Sequence, residues 1–348
     1  MVILGIETSC DDTAASIVIA SGSFDEPRFA IASSIVSSQA AQHAAWGGVV
    51  PMLAKREHEK NLPAILAQAL SDANVTPNNI DAIAVTKGPG LEPALWAGIA
   101  FAEKTAREWK KPLIGINHME GHIVAAVLSK STVAPAPKIV FPALALLISG
   151  GHTELVLVHH WLKYQKLGAT RDDAIGEAFD KVARLLGFPY PGGPHISHAA
   201  EKGVASGISL PRPMLHSGNY DFSYSGLKTA VLYYLRDRGE LSQQDRSNLC
   251  REFELAATDV LIAKTRRALA EFTPASLIIG GGVIANTHIR ASFTELISSE
   301  FPHIHLHVPA ISFAGDNAAM IAAAAYIHLI NGETTATTIR AQGHLSIA

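Results

Sequence analysis

Two copies of one short pattern constrain this fold more than any other feature. The apolar run Val2 to Glu7 enters the polar turn Thr8-Ser9-Cys10-Asp11-Asp12-Thr13, and a second apolar run follows from Ala14 to Ala20. A buried strand, a tight turn and a second strand produce such a sequence. The pattern returns where Ala143 to Ile148 leads into Ser149-Gly150-Gly151-His152-Thr153 and then Leu155 to Val158. Two copies predict two lobes built on the same plan. Further strands are expected at Ile80 to Thr86, Leu113 to Ile116 and Ser276 to Ile279. Helical periodicity marks Met52 to Asp72, which Pro63 should bend or interrupt, then Ala94 to Lys110 and a helix opening at His118. It continues at Asp172 to Leu186, Leu227 to Arg236, Leu241 to Phe272, and about Asp316 to Ile330, stopping at Asn331-Gly332. Alternating strands and helices predict an α/β class. The Pro- and Ala-rich stretch Ser131 to Lys138 reads as a linker between lobes.

A chain of 348 residues can bury a large core and form two lobes. Its net charge of −3 gives no general footprint for nucleic acid, so such a partner must meet a local patch or a companion subunit. Two cysteines provide neither a disulfide framework nor a four-thiolate metal site. That cysteine usage reads as cytoplasmic, and acidic residues early in the chain, in place of a basic segment, argue against a signal peptide. The most apolar stretch, Ala318 to Ile330, is too short to span a bilayer and contains His328.

Glycine-rich turns at strand ends suggest anion binding, because backbone N–H groups approach phosphate closely only where side chains are absent. Ser149 to Thr153, Gly280-Gly281-Gly282, Lys87-Gly88-Pro89-Gly90 and Pro191-Gly192-Gly193-Pro194 all qualify. A plain turn explains any one of them equally well. His118-Met119-Glu120-Gly121-His122 places two imidazoles one helical turn apart, within reach of one metal ion, or else forms a surface or capping pair. Glu120 lies about 200° around the helix from His118, so it is misplaced for the general base of a metalloprotease. Asp316 is a candidate third ligand, but at a helix start its residue context favours an N-cap or first-turn acid facing the helix dipole. Glu177–Lys181 and Asp180–Arg184 have the spacing of a salt-bridged face, although one acid in this segment suits ribose hydroxyls. Asp11 and Asp12, beside Ser9, can form an Asx-turn or position a reacting proton.

Together these segments resemble the tRNA N6-adenosine threonylcarbamoyltransferases (TsaD, once described as O-sialoglycoprotein endopeptidases). The matching pieces are GIETSCDDT at Gly5 to Thr13, HAAWGGVVPMLAKREH at His43 to His58, GPGL at Gly88 to Leu91, NHMEGH at Asn117 to His122, and LLISGGHTEL at Leu146 to Leu155. GEAFDKVARLLGFPYPGGP at Gly176 to Pro194, FSYSGLKTA at Phe222 to Ala230, GGGVIAN at Gly280 to Asn286 and FAGDNAAM at Phe313 to Met320 continue the family's order. The resemblance implies a two-lobed, actin-like ATPase (ASKHA) fold. Lobe I would span 1–130 with 316–348 packing back on it, and lobe II 139–315 with a helical insertion around 172–245. It implies transfer of a threonylcarbamoyl group from threonylcarbamoyl-AMP to N6 of the adenosine at position 37 of tRNAs reading codons that begin with A. By position, His118, His122 and Asp316 match the metal ligands, for Fe2+ or Zn2+. Leu147, Ile148, Ser149, Gly150, Gly151, Asp180, Gly193 and Asn286 match adenylate-binding positions, and Asp11 and Asp12 the acids that assist proton removal. Implied partners are tRNA, a TsaB-like paralogue and a TsaE-like ATPase in a bacterial setting, with no membrane. The chain departs from the family at Asp12, Glu92-Pro93, Ala314-Gly315 and Ala318.

Three other readings compete. A small-molecule kinase of the same fold leaves the histidine pair idle. A non-catalytic scaffold paralogue does not need that pair, and a glycoprotease lacks its base. Lys55, Arg56, Lys60, Lys104 and Lys228 are candidate RNA phosphate contacts or ordinary surface charges.

Overall fold

The computed structural model describes residues 1–128, 138–333 and 335–348; the linker stretch lies outside these except for Lys138. The strands are β1 (Val2–Glu7), β2 (Asp12–Gly22), β3 (Pro27–Ser38), β4 (Ala82–Gly88), β5 (Leu113–Asn117), β6 (Ala143–Ile148), β7 (Thr153–His160), β8 (Lys163–Ala169), β9 (Ser276–Gly280) and β10 (His305–His307). The helices are α1 (Ala40–Ala44), α2 (Pro51–Asp72), α3 (Glu92–Trp109), α4 (His118–Ala125), α5 (Ile175–Leu185), α6 (Gly192–Ala200), α7 (Ser225–Arg238), α8 (Gln243–Phe272), α9 (Thr287–Glu300), α10 (Ile311–Ala314) and α11 (Ala318–Ile330).

Two compact units result. One comprises Met1–Ile139, Trp161–Lys163 and Pro309–Ala348; the other comprises Val140–His160 and Tyr164–Val308. The first sheet has the order β3-β2-β1-β4-β5 and the second β8-β7-β6-β9-β10. In each, the first strand pairs antiparallel with the second and parallel with the fourth. One topology is therefore used twice, which explains the repeated strand–turn–strand pattern. β3, β8 and β10 escaped the sequence reading because their alternation is interrupted: half-exposed positions fill β3 and β8, and β10 has three residues.

Pro63 does not end α2. It lies on the exposed side, where water can satisfy the carbonyl it frees. Pro191-Gly192-Gly193-Pro194 is not a free turn but the start of α6. In α11, Ala318 to Ile327 are all buried, as expected of a helix that is apolar on every face. It packs against β1, β2 and α4. Gly5 makes this possible, since a Cβ there would stand 2.1 Å from the Ala318 carbonyl oxygen. No helix among the described residues is long and apolar enough to cross a membrane.

Candidate active site

The first cluster lies at the β5–α4 junction. Asn117 caps α4 by accepting from Met119 N at 2.8 Å, while its amide donates to Ser346 O at 3.0 Å. The helix starts at His118, so His118 and His122 share a face, their ring centres 4.6 Å apart and their planes at 82°. Asp316 completes the group: its Oδ1 lies 3.4 Å from the Nε2 of each histidine. One ligand atom from each of the three residues falls within 4.8 Å of the others. Asp316 does not cap α11; Asn317 does, accepting from Met320 N at 3.0 Å. The Asp316 carboxylate is thereby left for the histidines.

Glu7, the last residue of β1, was missed as a site residue. A carboxylate ending a buried strand was the available signal. Its Oε2 accepts from His118 Nδ1 at 2.9 Å and from Thr86 Oγ1 at 2.6 Å. Burial opposes charge on Glu7 and on His118, but each is the other's counter-charge. Glu7 is held below its ordinary range, and Glu7 and Asp316 raise His118 well above its own. Burial keeps His122 neutral, with the nearby Asp316 only partly opposing this.

Neither nitrogen of the buried His122 has a hydrogen-bond partner, because the 3.4 Å approach to Asp316 lacks hydrogen-bond geometry. A buried orphan imidazole is costly unless something else uses its lone pair. Two imidazoles and a carboxylate converging on one point are a fitting donor set for a divalent transition metal. Glu7 holding the far nitrogen of His118 is the support such a ligand usually has. Glu120 faces away from this point, bonding His328 Nε2 at 2.9 Å, so it is no base for a protease.

Asp11 lies in the first turn and Asp12 opens β2, opposite Ser38. Burial, and then the charge of Asp316, raise the Asp12 carboxyl to about 7. The turn is fixed by His58. Its Nε2 faces only a carbonyl, Cys10 O at 3.0 Å, so that nitrogen carries the proton. Nδ1 then accepts, with Thr13 Oγ1 at 2.8 Å and Gln39 Nε2 at 3.1 Å. Gln39 N donates to Asp11 O at 2.9 Å.

The second feature is a cavity of about 460 Å³ at the carboxyl ends of β6 and β9, where ligands bind in open α/β sheets. Gly150, Asp180, Gly193 and Asn286 line it. Gly281 adopts φ of 97°, and a Cβ there would meet Ile148 O at 2.2 Å. Leu147 and Ile148 do not line the cavity; both are fully buried core of β6. Ser149 is buried in its turn, where Oγ accepts from His152 N at 3.2 Å, and Gly151 is exposed.

Asp180 Oδ1 accepts from Gly192 N at 2.7 Å, which ties α5 to the start of α6. The Asn286 amide nitrogen donates to Glu254 at 2.6 Å and Ser197 at 2.7 Å, and its oxygen caps α9 at Ile289 N, 2.9 Å away. Of the candidate RNA contacts, Lys55, Lys60 and Lys104 pair within their own helices with Glu59, Glu57 and Glu108.

Comparison with known proteins gives the family and the fold. The family model for TsaD, tRNA N6-adenosine threonylcarbamoyltransferase, matches residues 30–323. A curated relative of that name from Anaeromyxobacter sp. (strain Fw109-5) is 43% identical over 341 residues, 98% of each chain. One from Thermosipho melanesiensis is 44% identical over 326 residues, 94% of each. Among solved structures, T. kodakarensis HypF superposes with a TM-score of 0.58 at 12% identity, covering 94% of this chain and 48% of that one. Component A of the (R)-2-hydroxyglutaryl-CoA dehydratase of Acidaminococcus fermentans gives 0.51 at 13%, covering 94% and 99%. At such identities these two share the fold alone, an actin-like ATPase fold. The order of motifs, the duplicated sheets and the near-complete coverage by relatives lead to one assignment: the chain belongs to the tRNA N6-adenosine threonylcarbamoyltransferase (TsaD) family.

Proposed function

We propose that this chain transfers a threonylcarbamoyl group to N6 of an adenosine in tRNA, at position 37 of tRNAs reading codons that begin with A, with threonylcarbamoyl-AMP as donor. The observation that carries the reading is the convergence of His118, His122 and Asp316 on one point, backed by Glu7. In the reaction the N6 amine forms a bond to the carbamoyl carbon, the bond from that carbon to the phosphate oxygen breaks, and AMP leaves with the electron pair. The amine proton passes to a carboxylate, for which Asp12, raised to about 7 and therefore poised near neutrality, and the adjacent Asp11 are assigned. The cavity lined by Gly150, Asp180, Gly193 and Asn286 takes the adenylate, with Ser149 and Gly151 shaping the phosphate turn and Leu147 and Ile148 supporting it from the core.

His118, His122 and Asp316 would hold one Fe2+ or Zn2+ ion, which when bound supplies Lewis-acid polarisation of an oxygen ligand. The two units correspond to lobes I and II, the C-terminal segment belonging with lobe I. A cytoplasmic location, a TsaB-like paralogue and a TsaE-like ATPase complete the proposal. The test is incubation of the metal-loaded chain with donor, tRNA transcript and partner proteins, reading modified adenosine by mass spectrometry together with AMP release. His118→Ala and Asp316→Ala should abolish both. Full product formation by the double His118→Ala/His122→Ala variant would overturn the assignment, and ATP-dependent phosphorylation of a small acceptor would favour a kinase.

A further inference from the structure

A second cavity, of about 380 Å³, opens beside the adenylate cavity and shares His198 with it. Its lining is cationic and aromatic. Phe188, from the turn after α5, lies nearly parallel to the His195 ring, with planes 8° apart and centres 6.0 Å apart. The Arg246 guanidinium sits 5.9 Å from the Phe188 ring centre. Lys202, just after α6, completes the wall. Neither Lys202 nor Arg246 has a carboxylate partner among the described residues. Glu201, next to Lys202 in the chain, faces His198 Nδ1 at 3.6 Å.

Other surface cations, such as Lys55, Lys60, Lys104, Arg171, Lys181, Arg212 and Arg266, face carboxylates. On a chain of net charge −3, two cations without carboxylate partners gathered around one concave aromatic floor make a local positive patch. Such a field concentrates anions. A planar ring with exposed guanidinium and ammonium groups matches one nucleotide of single-stranded RNA, the base extending the ring stack and the phosphate meeting the cations. The volume is at the lower end of small-ligand sites, about 300–1,000 Å³, which suits one nucleotide.

We infer that the cavity of Phe188, His195, Lys202 and Arg246 is an RNA subsite that holds one unpaired nucleotide of the tRNA substrate. The inference rests on the reading of this chain as an enzyme acting on tRNA. It supplies the local patch that the overall charge requires.

The test uses the full chain, metal-loaded and with its partner proteins, in wild type and in Phe188→Ala, Lys202→Gln, Arg246→Gln and the triple variant. The measurements are kcat, KM for an unmodified tRNA transcript, KM for the activated donor, and direct binding of the transcript without donor. The triple variant should raise KM for tRNA and weaken direct binding by about tenfold or more, since stacking and phosphate contacts are lost together. kcat and the KM for donor stay at wild-type values. Each lost cation should make the plot of log affinity against log salt shallower by about 0.7, and Phe188→Ala should leave that slope unchanged. Unchanged tRNA binding and KM in the triple variant overturn the inference, as does a rise confined to the KM for donor. If the wild-type chain modifies no adenosine, the functional reading fails, while the binding measurement still decides the subsite.

Discussion

Glu7→Gln is the most informative single change at the metal-ligand cluster. The glutamine keeps the shape of Glu7 but has one acceptor oxygen where the carboxylate has two. In the structure Oε1 accepts from Ser9 N at 2.5 Å, and Oε2 accepts from Thr86 Oγ1 and His118 Nδ1. If the amide oxygen stays with Ser9, its NH2 faces His118 Nδ1. The imidazole must then move its proton to Nε2, the nitrogen 3.4 Å from Asp316, and that lone pair is lost to a metal. If the amide turns the other way, the buried Ser9 N–H has no acceptor, at a cost of roughly 1–3 kcal/mol. Both routes weaken the donor set. The expected loss of metal affinity is about 10–100-fold, the usual effect of removing the carboxylate behind a ligating histidine; this equals about 1.4–2.8 kcal/mol. The assay is Zn2+ competition against a chromophoric chelator on protein stripped of metal. Thr86→Val is the control. It removes one bond to the same carboxylate but leaves the charge, and should cost about 1 kcal/mol of stability with little change in affinity. Unchanged Zn2+ affinity in a folded Glu7→Gln protein would refute the argument that Glu7 sets the His118 tautomer.

Two further outcomes follow from particular contacts. Lys264 is buried, donating to Ser217 Oγ at 2.5 Å and Asn219 O at 2.7 Å, and burial, then the charge of Arg267, lower its amine from 10.5 to about 8. A lowered base burdens the fold wherever it is charged, fully below pH 8, and the burden lifts as pH rises to 10.5. Stability should therefore gain about 3 kcal/mol across that window, and urea titrations of Lys264→Met should show no such slope; an equal slope in both proteins contradicts it. Gly5→Ala drives a Cβ against the Ala318 carbonyl, so α11 must shift; the expected cost is about 1–3 kcal/mol in thermal unfolding, with weakened Zn2+ binding because Asp316 moves with the helix.

Local features were legible in the sequence because they obey local rules. The strand–turn–strand repeats followed from apolar runs around polar turns, and the His118/His122 pair from helical spacing. The orientation of Glu120 away from that pair followed from the same spacing, and it faces His328. Other residues show where local rules stop. Asp316 has the sequence context of a cap, and the cap turned out to be Asn317. Glu7 looked like the end of a strand. Asn286 was placed as an adenylate residue, and it lines the cavity, but its amide is already committed to Glu254, Ser197 and the start of α9. Glu254 lies far along the chain, in α8.

By itself the sequence determined the buried strands with unbroken apolar runs, most of the longer helices, several of the glycine turns that end them, and which two histidines share a face. The periods of 2 and 3.6 residues and the backbone freedom of glycine act within a few neighbouring residues. Only the tertiary structure brought Asp316, which the family resemblance had named, and Glu7, which nothing in the sequence had named, to those histidines. α11 is apolar on every face and had to be buried, and it comes close to β1 over a residue with no side chain, at Gly5. That packing carries a carboxylate from the far end of the chain to the imidazoles, and no local pattern records it.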